Sequence, residues 1–416
     1  NKMKPISQSP LGSRIASVHN GSSLFTGDAG GGESNIRRYI IENDWLDCIV
    51  QLPNNLFYNT GITTYIWFLH NNKETKRKGK VLLIDASQRF TKLRKNLGNK
   101  NCELTAEHIK EIQEAYARFE NIDRSKEDDL AVKVFNNSDF GYYKVSIDRP
   151  ARLKSQFSAE RIADLRFDKS LKVAMQWAYE NYGDKVYSDL KSIEKELLDW
   201  CDKNELNLNA KHKRELCSPS HWEKYNALYS LAKILLHEIG EEEYKDFNAF
   251  QDLVTKTIKK QVIKPTAAQL NVILKAVSWY DEEAEKVIKK KQKLSGDKLD
   301  QLLAHLDCSI AELPNFGYYP SGKPNEYIVY ESQSDLRDSE SVPLAENIQD
   351  YFLREVKPHV AEAWIDLDKT KIGYEISFNK YFYQHKPLRP IEEVSEEILA
   401  LEQENEGLIM DILNLA

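Results

Sequence analysis

Two adjacent aromatic residues, Phe57 and Tyr58, lie in an Asn-rich polar stretch (residues 52–64, LPNNLFYNTGITT), and Asn59 follows them directly. Aromatic side chains on such a loop can stack on a nucleic-acid base that has left the double helix, an interaction of about 1–3 kcal/mol per base. The alternative is that Phe57 fills the edge of a hydrophobic core, and composition alone favours neither interpretation. Phe57 is therefore a candidate base-stacking residue, with Tyr58 and Asn59 as further candidate contacts.

A short basic segment follows at residues 89–100. Its cationic residues are Arg89, Lys92, Arg94, Lys95 and Lys100, interrupted by Phe90 and Leu93. Such a cluster can bind DNA phosphates, although a run of charges is by default a solvated loop. The formal net charge of the chain is −7, which argues against a protein that coats DNA through bulk electrostatics. A local basic surface remains compatible with this total, because patch and total charge are separate quantities.

A glycine-rich turn at residues 27–32 (GDAGGG) stands between a predicted strand and a predicted helix. The N-terminus of a helix after such a turn can bind an anion. The spacing G-x-x-G-G-G, however, matches neither the dinucleotide-binding pattern nor the P-loop. Asp47 opens its strand instead of closing one, so no acidic residue is placed to hold a ribose. A surface loop is the competing interpretation, and a stand-alone nucleotide-binding protein is the weakest functional hypothesis.

No Asn/Asp-Pro-Pro-aromatic motif occurs in the 416 residues. Methylation of adenine needs an acceptor side chain and a backbone carbonyl to hold the exocyclic amine, which is a poor nucleophile. The sequence therefore offers no catalytic residue for that chemistry. Asp85, at the end of an apolar run, could act as an acid or base, but a lone carboxylate at a strand end is more often structural.

The composition indicates a globular protein of two or three domains, with 41% hydrophobic and 30% charged residues. No stretch approaches the roughly 20 apolar residues that a membrane-spanning helix needs, and no signal segment is recognisable, so a cytoplasmic protein is expected. The cysteines show no zinc-binding spacing, which predicts reduced thiols and no metal site. They are Cys48, Cys102, Cys201, Cys217 and Cys308.

Short apolar runs alternate with a helical pattern in the first part of the chain, which indicates the interior of an α/β sheet. Strands are predicted at 13–19 (buried), 46–52, 62–69, 80–84 and 140–149, and helices at 33–43 and 105–119, the latter with Thr105 as N-cap. Residues 158–306 have helical spacing, and 315–330 indicate a hairpin or extended loop. The predicted fold class is α/β followed by mostly α.

From residue 390 onward, apolar residues alternate at spacings of three and four, the pattern of a heptad seam. Asn405 occupies the one polar core position, where a buried amide costs stability and fixes register. Such a narrow seam suits a partner helix, although a terminal helix docked on its own domain is the alternative. The predicted interface residues are Ile391, Val394, Ile398, Leu401, Asn405, Leu408, Ile412 and Leu415.

Several blocks, in this order along the chain, resemble the methylation (M) subunits of type I restriction–modification systems. The blocks are residues 32–38 (GESNIRR), 46–53 (LDCIVQLP), 56–62 (LFYNTGI), 83–86 (LIDA), 335–338 (DLRD), 342–344 (VPL) and 373–382 (GYEISFNKYF). Their order and spacing match the family from near the first residue to the end. Together they are specific, whereas any single block would not be.

This resemblance implies a Rossmann-like fold that binds S-adenosylmethionine and methylates adenine in DNA at its exocyclic amine. It also implies assembly with a specificity subunit that recognises a bipartite DNA target, with a second M subunit and, in some systems, with a restriction subunit. By position, Phe57 matches the aromatic that stacks on the flipped adenine in related amino-methyltransferases. The family's C-terminal helices pack against the specificity subunit, which agrees with the heptad seam found independently.

Relative to that family, the chain is expected to be a C-terminal portion, with the N-terminal helical domain, the cofactor-binding glycine motif and the Asn-Pro-Pro motif lying before residue 1. Five segments are expected: the distal half of a methyltransferase sheet (1–120), a connecting strand and linker (121–157), a helical domain (158–310), a mixed segment packing back on the methyltransferase part (311–389) and the heptad helix (390–416). Alone, the chain is expected to be inactive and not to bind the cofactor productively. It is either an enzyme component or a non-catalytic assembly module.

Overall fold

The computed structural model describes residues 3–124, 129–261, 264–383 and 390–414. The chain divides into two compact units. Unit 1 comprises residues 1–142, 343–345 and 372–416, and unit 2 comprises residues 143–342 and 346–371. Unit 1 thus combines an N-terminal segment with segments that lie far along the sequence. The finer division into five segments stays a prediction.

The strands of the described residues are, in chain order, β1 (Arg14–Asn20), β2 (Leu46–Gln51), β3 (Thr64–His70), β4 (Lys80–Asp85), β5 (Thr91–Leu97), β6 (Lys100–Glu103), β7 (Ala131–Asn136), β8 (Gly141–Asp148), β9 (Leu153–Gln156), β10 (Glu243–Tyr244), β11 (Ser278–Tyr280), β12 (Ile288–Lys293), β13 (Tyr319–Pro320), β14 (Glu326–Tyr330), β15 (Asp338–Pro343) and β16 (Trp364–Tyr374). Each strand predicted from the sequence has an observed counterpart within one or two residues.

The α-helices of the same residues are α1 (Ser22–Phe25), α2 (Gly32–Glu42), α3 (Ala106–Arg118), α4 (Ala159–Ala163), α5 (Lys172–Tyr182), α6 (Lys185–Ser188), α7 (Leu190–Lys203), α8 (Ala210–Leu216), α9 (Pro219–Ile239), α10 (Phe247–Lys260), α11 (Ala267–Ala276), α12 (Asp297–Leu306), α13 (Ile348–Tyr351), α14 (Phe378–Phe382) and α15 (Ile391–Asn414). Among these helices, none combines the length and the apolar character that crossing a membrane would require.

A five-stranded mixed sheet forms the centre of unit 1, in the order β1-β3-β2-β4-β7. Strands β2 and β4 pair in parallel, with Cys48 opposite Leu82 and Val50 opposite Ile84. Strand β3 runs antiparallel between β1 and β2, and β7 runs antiparallel beside β4. The predicted α/β character of this region is therefore observed, in the form of a mixed sheet with helices against it.

Both faces of the two inner strands β2 and β4 are buried. Ile49 and Leu83 belong to one core, which also includes Ile41 of α2, whereas Cys48 and Leu82 belong to a second core. Because successive side chains in a strand point to opposite faces, a strand covered on both sides must be apolar at nearly every position. This is why the runs at 46–52 and 80–84 could be identified from the sequence.

The prediction that the first strand is buried was wrong. β1 forms where predicted, but most of its residues are exposed, including Ile15 and Val18. Within the described residues β1 pairs with β3 alone and occupies an edge of the sheet. A strand at an edge can be apolar and still exposed, because burial depends on its neighbours and not on its own composition.

Helix α3 begins where the sequence signals it. The Thr105 hydroxyl accepts from the backbone N–H of His108, and the His108 ring accepts from the backbone N–H of Thr105. This reciprocal cap satisfies two donors that the first turn leaves without a helical partner. The helix ends at Phe119, which adopts the left-handed conformation. Ala115 and Phe119 pack in the second core of the sheet.

Unit 2 is built mainly from helices, with two helical cores. One includes Leu235 of α9 and Phe250 of α10, and the other includes Leu197 of α7 and Trp222 of α9. The region predicted to be helical also contains the short strands β10, β11 and β12. Residues 315–330 were predicted to be a hairpin or an extended loop, and here strands β13 and β14 pair as an antiparallel hairpin, to which β12 adds a third strand.

Candidate nucleic-acid interface

The segment between β2 and β3 carries the predicted aromatic pair on its surface. Leu52 and Pro53 are buried, and Leu56 packs against the second core of the sheet. Phe57 and Tyr58 are 38% and 60% exposed. Leu56, rather than Phe57, therefore fills the core edge, and Asn59 beside them is also exposed. Both aromatic side chains are therefore partly accessible to a ligand.

Bonds inside this segment hold it as a compact loop. The Thr63 hydroxyl donates to the Asn54 side chain at 2.6 Å, and Phe57 forms an isolated antiparallel bridge with Thr60. Asn55 has a φ of +58°, in the left-handed region, which Asn tolerates better than most residues. These contacts turn the chain tightly at the aromatic pair.

The basic segment forms an antiparallel hairpin of β5 and β6 and not an irregular loop. Lys92, Arg94 and Lys95 are exposed, and none of the three forms an ion pair with any residue in the described ranges. Arg89 differs, because its guanidinium forms an ion pair with Glu111 of α3. Arg89 is thus largely committed to the protein, whereas the other three charges face solvent.

The hairpin and the aromatic loop are in direct contact. The backbone N–H of Asn99 donates to the carbonyl of Tyr58 at 2.9 Å, and that of Asn101 donates to the carbonyl of Asn55 at 3.1 Å. The Asn55 side chain in turn donates to the carbonyl of Asn99 at 2.9 Å. The ammonium nitrogen of Lys100 lies 5.5 Å from the centroid of the Tyr58 ring. The structure therefore brings the two predicted candidate sites together.

Asp85 has a structural partner. Its carboxylate is almost fully buried and accepts from the Arg124 guanidinium at 2.8 Å and from the backbone N–H of Ser87 at 2.9 Å. A buried carboxylate held by a cation and a backbone donor is an anchor for the end of its strand. The geometry therefore favours the structural interpretation of Asp85 over a role as acid or base.

A buried ionic cluster centred on Asp47 was not predicted from the sequence. Asp47 is 1% exposed, and its carboxylate accepts from Arg77 Nε at 2.9 Å and from the Tyr116 hydroxyl. The Arg77 guanidinium lies 4.2 Å from the ring centroids of both Tyr116 and Phe119. Burial, together with the hydrogen bond to Asp47, raises the pKa of Tyr116 to about 12. The charged residue Asp47 in an otherwise apolar strand could have indicated this cluster, since a buried charge requires a partner.

The glycine-rich turn does not form a cradle for a phosphate. The backbone N–H of Gly30 donates to the carbonyl of Ile372 at 3.2 Å, which ties the turn to unit 1. The Glu33 side chain lies over Gly27, close enough that a Cβ at Gly27 would meet it at 2.8 Å. A carboxylate in the first turn of α2 opposes the binding of an anion there. The residues present therefore disfavour a phosphate-bearing ligand at this turn.

Helix α15 presents the predicted seam to solvent. Ile391, Val394, Ile398 and Leu401 are exposed, as is Asn405. Leu408 and Ile412 lie within the helix, but their side chains are outside the described set, and Leu415 is outside the described residues. Elsewhere, the described residues hold no group of three or more His, Cys, Asp or Glu side chains that could bind a metal ion.

Comparisons with known proteins match part of the chain. Residues 6–144 match the family model described as N-6 DNA Methylase. A type I restriction enzyme methylase subunit of Methanocaldococcus jannaschii is 40% identical over 93 residues, which are 22% of this chain and 16% of that protein. The HindI methylase subunit of Haemophilus influenzae is 55% identical over 56 residues, 14% of this chain and 12% of that protein.

Among solved structures, a type I restriction–modification methyltransferase subunit from Streptococcus thermophilus is 28% identical with a TM-score of 0.26, covering 30% of this chain and 24% of that one. The chain spans about a sixth of the length of the first curated relatives that it matches. The resemblance to type I methylation subunits inferred from the sequence is confirmed by the family model and the curated relatives.

Proposed function

We propose that this chain, whose residues 6–144 match the N-6 DNA methylase family, is the target-base-contacting portion of an adenine-specific DNA methyltransferase of a type I restriction–modification system. One observation carries the proposal. Phe57 and Tyr58 are exposed on a loop that contacts a hairpin bearing the exposed cations Lys92, Arg94 and Lys95. An extruded base needs an aromatic surface, and the adjoining phosphates need cations.

In the proposed complete enzyme, S-adenosylmethionine supplies a methyl group to the exocyclic amine of an adenine. That amine is inaccessible inside the duplex, so the base must leave the stack. The Phe57 ring stacks on the extruded adenine and opposes its return, an effect of about 1–3 kcal/mol. Tyr58 and Asn59 contact the base or its neighbours, and the three hairpin cations hold the adjoining phosphates. Arg89, paired with Glu111, contributes less to phosphate binding than these three.

This chain alone supplies positioning and not the complete reaction. Its 416 residues contain no Asn/Asp-Pro-Pro-aromatic motif to hold the amine, and the glycine-rich turn at residues 27–32 has neither the dinucleotide-binding nor the P-loop spacing. We therefore propose that the chain neither binds S-adenosylmethionine productively nor methylates DNA by itself. Its DNA target would be chosen by a specificity subunit, with a second M subunit and, in some systems, a restriction subunit in the assembly.

Replacing Phe57→Ala tests the stacking role. The probe is a duplex with 2-aminopurine opposite an abasic site, because this adenine analogue loses fluorescence when it stacks on an aromatic ring. We expect the wild-type chain to quench the probe and Phe57→Ala to bind the base about 5–150-fold more weakly, the loss that 1–3 kcal/mol predicts. Fluorescence titration measures the quenching, and anisotropy of an end-labelled duplex measures overall binding.

Phe25→Ala is the matched control, because Phe25 is another exposed aromatic residue of unit 1 on a different element, α1. Its quenching should equal that of the wild-type chain. Equal quenching by wild type and Phe57→Ala would remove Phe57 from the site. Failure of the wild-type chain to bind or quench the probe would overturn the proposed function of this surface.

A second candidate function, an assembly module that docks on the specificity subunit, is favoured by the exposed apolar seam of α15. Residues 391–414 include eight acidic residues and no Lys or Arg. The heptad positions that flank the seam on one side are Glu397, Glu404 and Asp411. Like charges at such positions would face each other in a paired homodimer, so we propose a different partner helix with basic flanking residues.

A further inference from the structure

The hairpin of β5 and β6 contacts the aromatic loop mainly through backbone atoms. Two N–H groups of the hairpin, at Asn99 and Asn101, donate to loop carbonyls at Tyr58 and Asn55. The thiol of Cys102, which is buried, lies 3.2 Å from the carbonyl oxygen of Asn54. Loop residues 54–58 therefore run beside hairpin residues 98–102, held by two backbone hydrogen bonds. Backbone bonds of this kind fix position more tightly than contacts between exposed side chains.

Gly98 makes this close approach possible. It has a φ of +65°, in the left-handed region, at the turn between the two strands. A Cβ atom at this position would lie 2.8 Å from the carbonyl oxygen of Tyr58. Only glycine allows both the left-handed φ and the close approach to Tyr58, since any side chain would strain the turn and push the loop away from the hairpin.

The same hairpin carries Lys92, Arg94 and Lys95, whose charges are exposed and have no ion-pair partner among the described residues. Lys100 lies against the Tyr58 ring on the side of the hairpin that faces the loop. One small element thus joins the cations suited to phosphate with the loop that carries the aromatic pair. Nothing else in the sequence pattern connects these segments, which are more than thirty residues apart.

We propose that the hairpin is a positioning element, which holds the loop so that phosphate contacts on the hairpin place Phe57 against the extruded base. Gly98, Asn99, Asn101 and Asn55 are the positioning residues, and they act through the loop without contacting the base. This inference rests on the proposed function, because it assigns the hairpin a role in presenting Phe57 to DNA. Its consequence is that loosening the hairpin–loop contact removes base stacking while phosphate binding persists.

Gly98→Ala tests the inference, and Gly79→Ala is its matched control. Gly79 also has a left-handed φ, +71°, but a Cβ at Gly79 would meet no atom within 4 Å. Both variants carry similar backbone strain, so they differ mainly in the collision with Tyr58. Hydrogen exchange at the Asn99 and Asn101 amides measures the contact without DNA. The 2-aminopurine duplex and its end-labelled form measure stacking and overall binding.

For Gly98→Ala we expect exchange at these two amides to rise about tenfold or more over both wild type and Gly79→Ala. Quenching of 2-aminopurine should weaken by about tenfold or more, because a displacement of about 1 Å is enough to spoil a positioned contact. Overall duplex affinity should change by less than about twofold, because the hairpin cations remain. Asn55→Gly, which keeps the left-handed φ and removes one bond to the hairpin, should shift exchange and quenching in the same direction by a smaller factor.

The outcomes separate this inference from the proposed function. Unchanged exchange in both Gly98→Ala and Asn55→Gly would overturn the hairpin–loop contact, and raised exchange with unchanged quenching would overturn its role in positioning. In either case, wild-type quenching that depends on Phe57 would leave the proposed function standing. A wild-type chain that neither binds nor quenches the duplex would overturn both.

Discussion

At the scale of single residues, Asp47 of unit 1 is a buried carboxylate that needs a counterion and hydrogen-bond donors. Its carboxylate lies within a buried strand, where an ionised group is stable only with a cation and hydrogen-bond donors around it. Arg77 and Tyr116 supply these, although they stand 30 and 69 residues away in sequence. Because Tyr116 belongs to α3, the cluster also ties this helix to the sheet.

Replacing Arg77→Met should destabilise unit 1 by about 3–5 kcal/mol, since the change leaves the Asp47 charge buried without a counterion. Urea denaturation followed by circular dichroism measures the free energy of unfolding. The control is Arg38→Met, which removes an exposed ion pair with Glu42 within α2. A loss of about 0–1 kcal/mol is expected there. Similar losses in the two variants would show that the Asp47 cluster is not the anchor we infer.

Phe57 and Arg89 show that neighbouring residues of similar type can differ in burial and in ion pairing once the chain is folded. Leu56 enters the core, so Phe57 remains exposed. Arg89 pairs with Glu111, whereas Lys92, Arg94 and Lys95 stay exposed without an ion-pair partner among the described residues. The sequence places all four cations in one run, but only the contacts of the folded chain distinguish the one that is committed elsewhere.

At the scale of elements, α15 has an apolar seam in contact with solvent, with Leu399 exposed one residue off that seam. Ile398→Asp should reduce co-purification with a co-expressed specificity subunit about tenfold or more, since a charge would then enter a desolvated helix interface. Leu399→Asp is the matched control, because it introduces the same charge next to the same position outside the seam. Affinity capture followed by quantitative gel densitometry measures the retained partner.

Retention that falls equally in Ile398→Asp and Leu399→Asp would contradict the heptad seam and indicate a general effect of charge. Retention unaffected by either variant, and by removal of residues 391–416, would remove α15 from the assembly surface. Size-exclusion chromatography with light scattering on the chain alone adds an independent check. Stable self-association through α15 would contradict a partner of different charge.

At the scale of the whole molecule, a chain with a net charge of −7 nevertheless carries a local group of exposed cations on the hairpin of β5 and β6. Local charge of this kind can bind phosphate even on an acidic protein, within the roughly 10 Å over which charges act at 0.1 M salt. In the proposed function, unit 1 would supply the DNA-contacting surface and α15, and methyl transfer would need an acceptor motif that the 416 residues do not contain.

The chain alone should transfer no methyl group from labelled S-adenosylmethionine to DNA that contains adenine. The expected reason is the lack of an Asn/Asp-Pro-Pro-aromatic motif in the 416 residues. Scintillation counting of recovered DNA gives the measurement, with an unrelated active adenine methyltransferase as the positive control. Turnover that increases with the concentration of this chain would refute the proposal that its catalytic set is incomplete.

The inner strands, the capped helix and the family resemblance could be predicted from residue types and spacing alone. Periodicity identified the inner strands β2 and β4 and the capped helix α3, because these depend on interactions between residues close in sequence. The conspicuous blocks at 46–53 and 56–62 lie inside residues 6–144, the range that matches the methylase family model. Such features are encoded by residue type and spacing, so they need no knowledge of the fold.

The contacts of each element could not be predicted from the local pattern and became known from the folded chain. It placed β1 at an exposed edge, paired Asp47 with Arg77 and Tyr116, and set the hairpin turn at Gly98 against Tyr58. The physical reason is that these outcomes depend on burial and on partners distant in sequence, whose free energies are absent from any local pattern. An apolar strand, a lone carboxylate and a basic run each allow several environments, and the packing of the whole unit selects one.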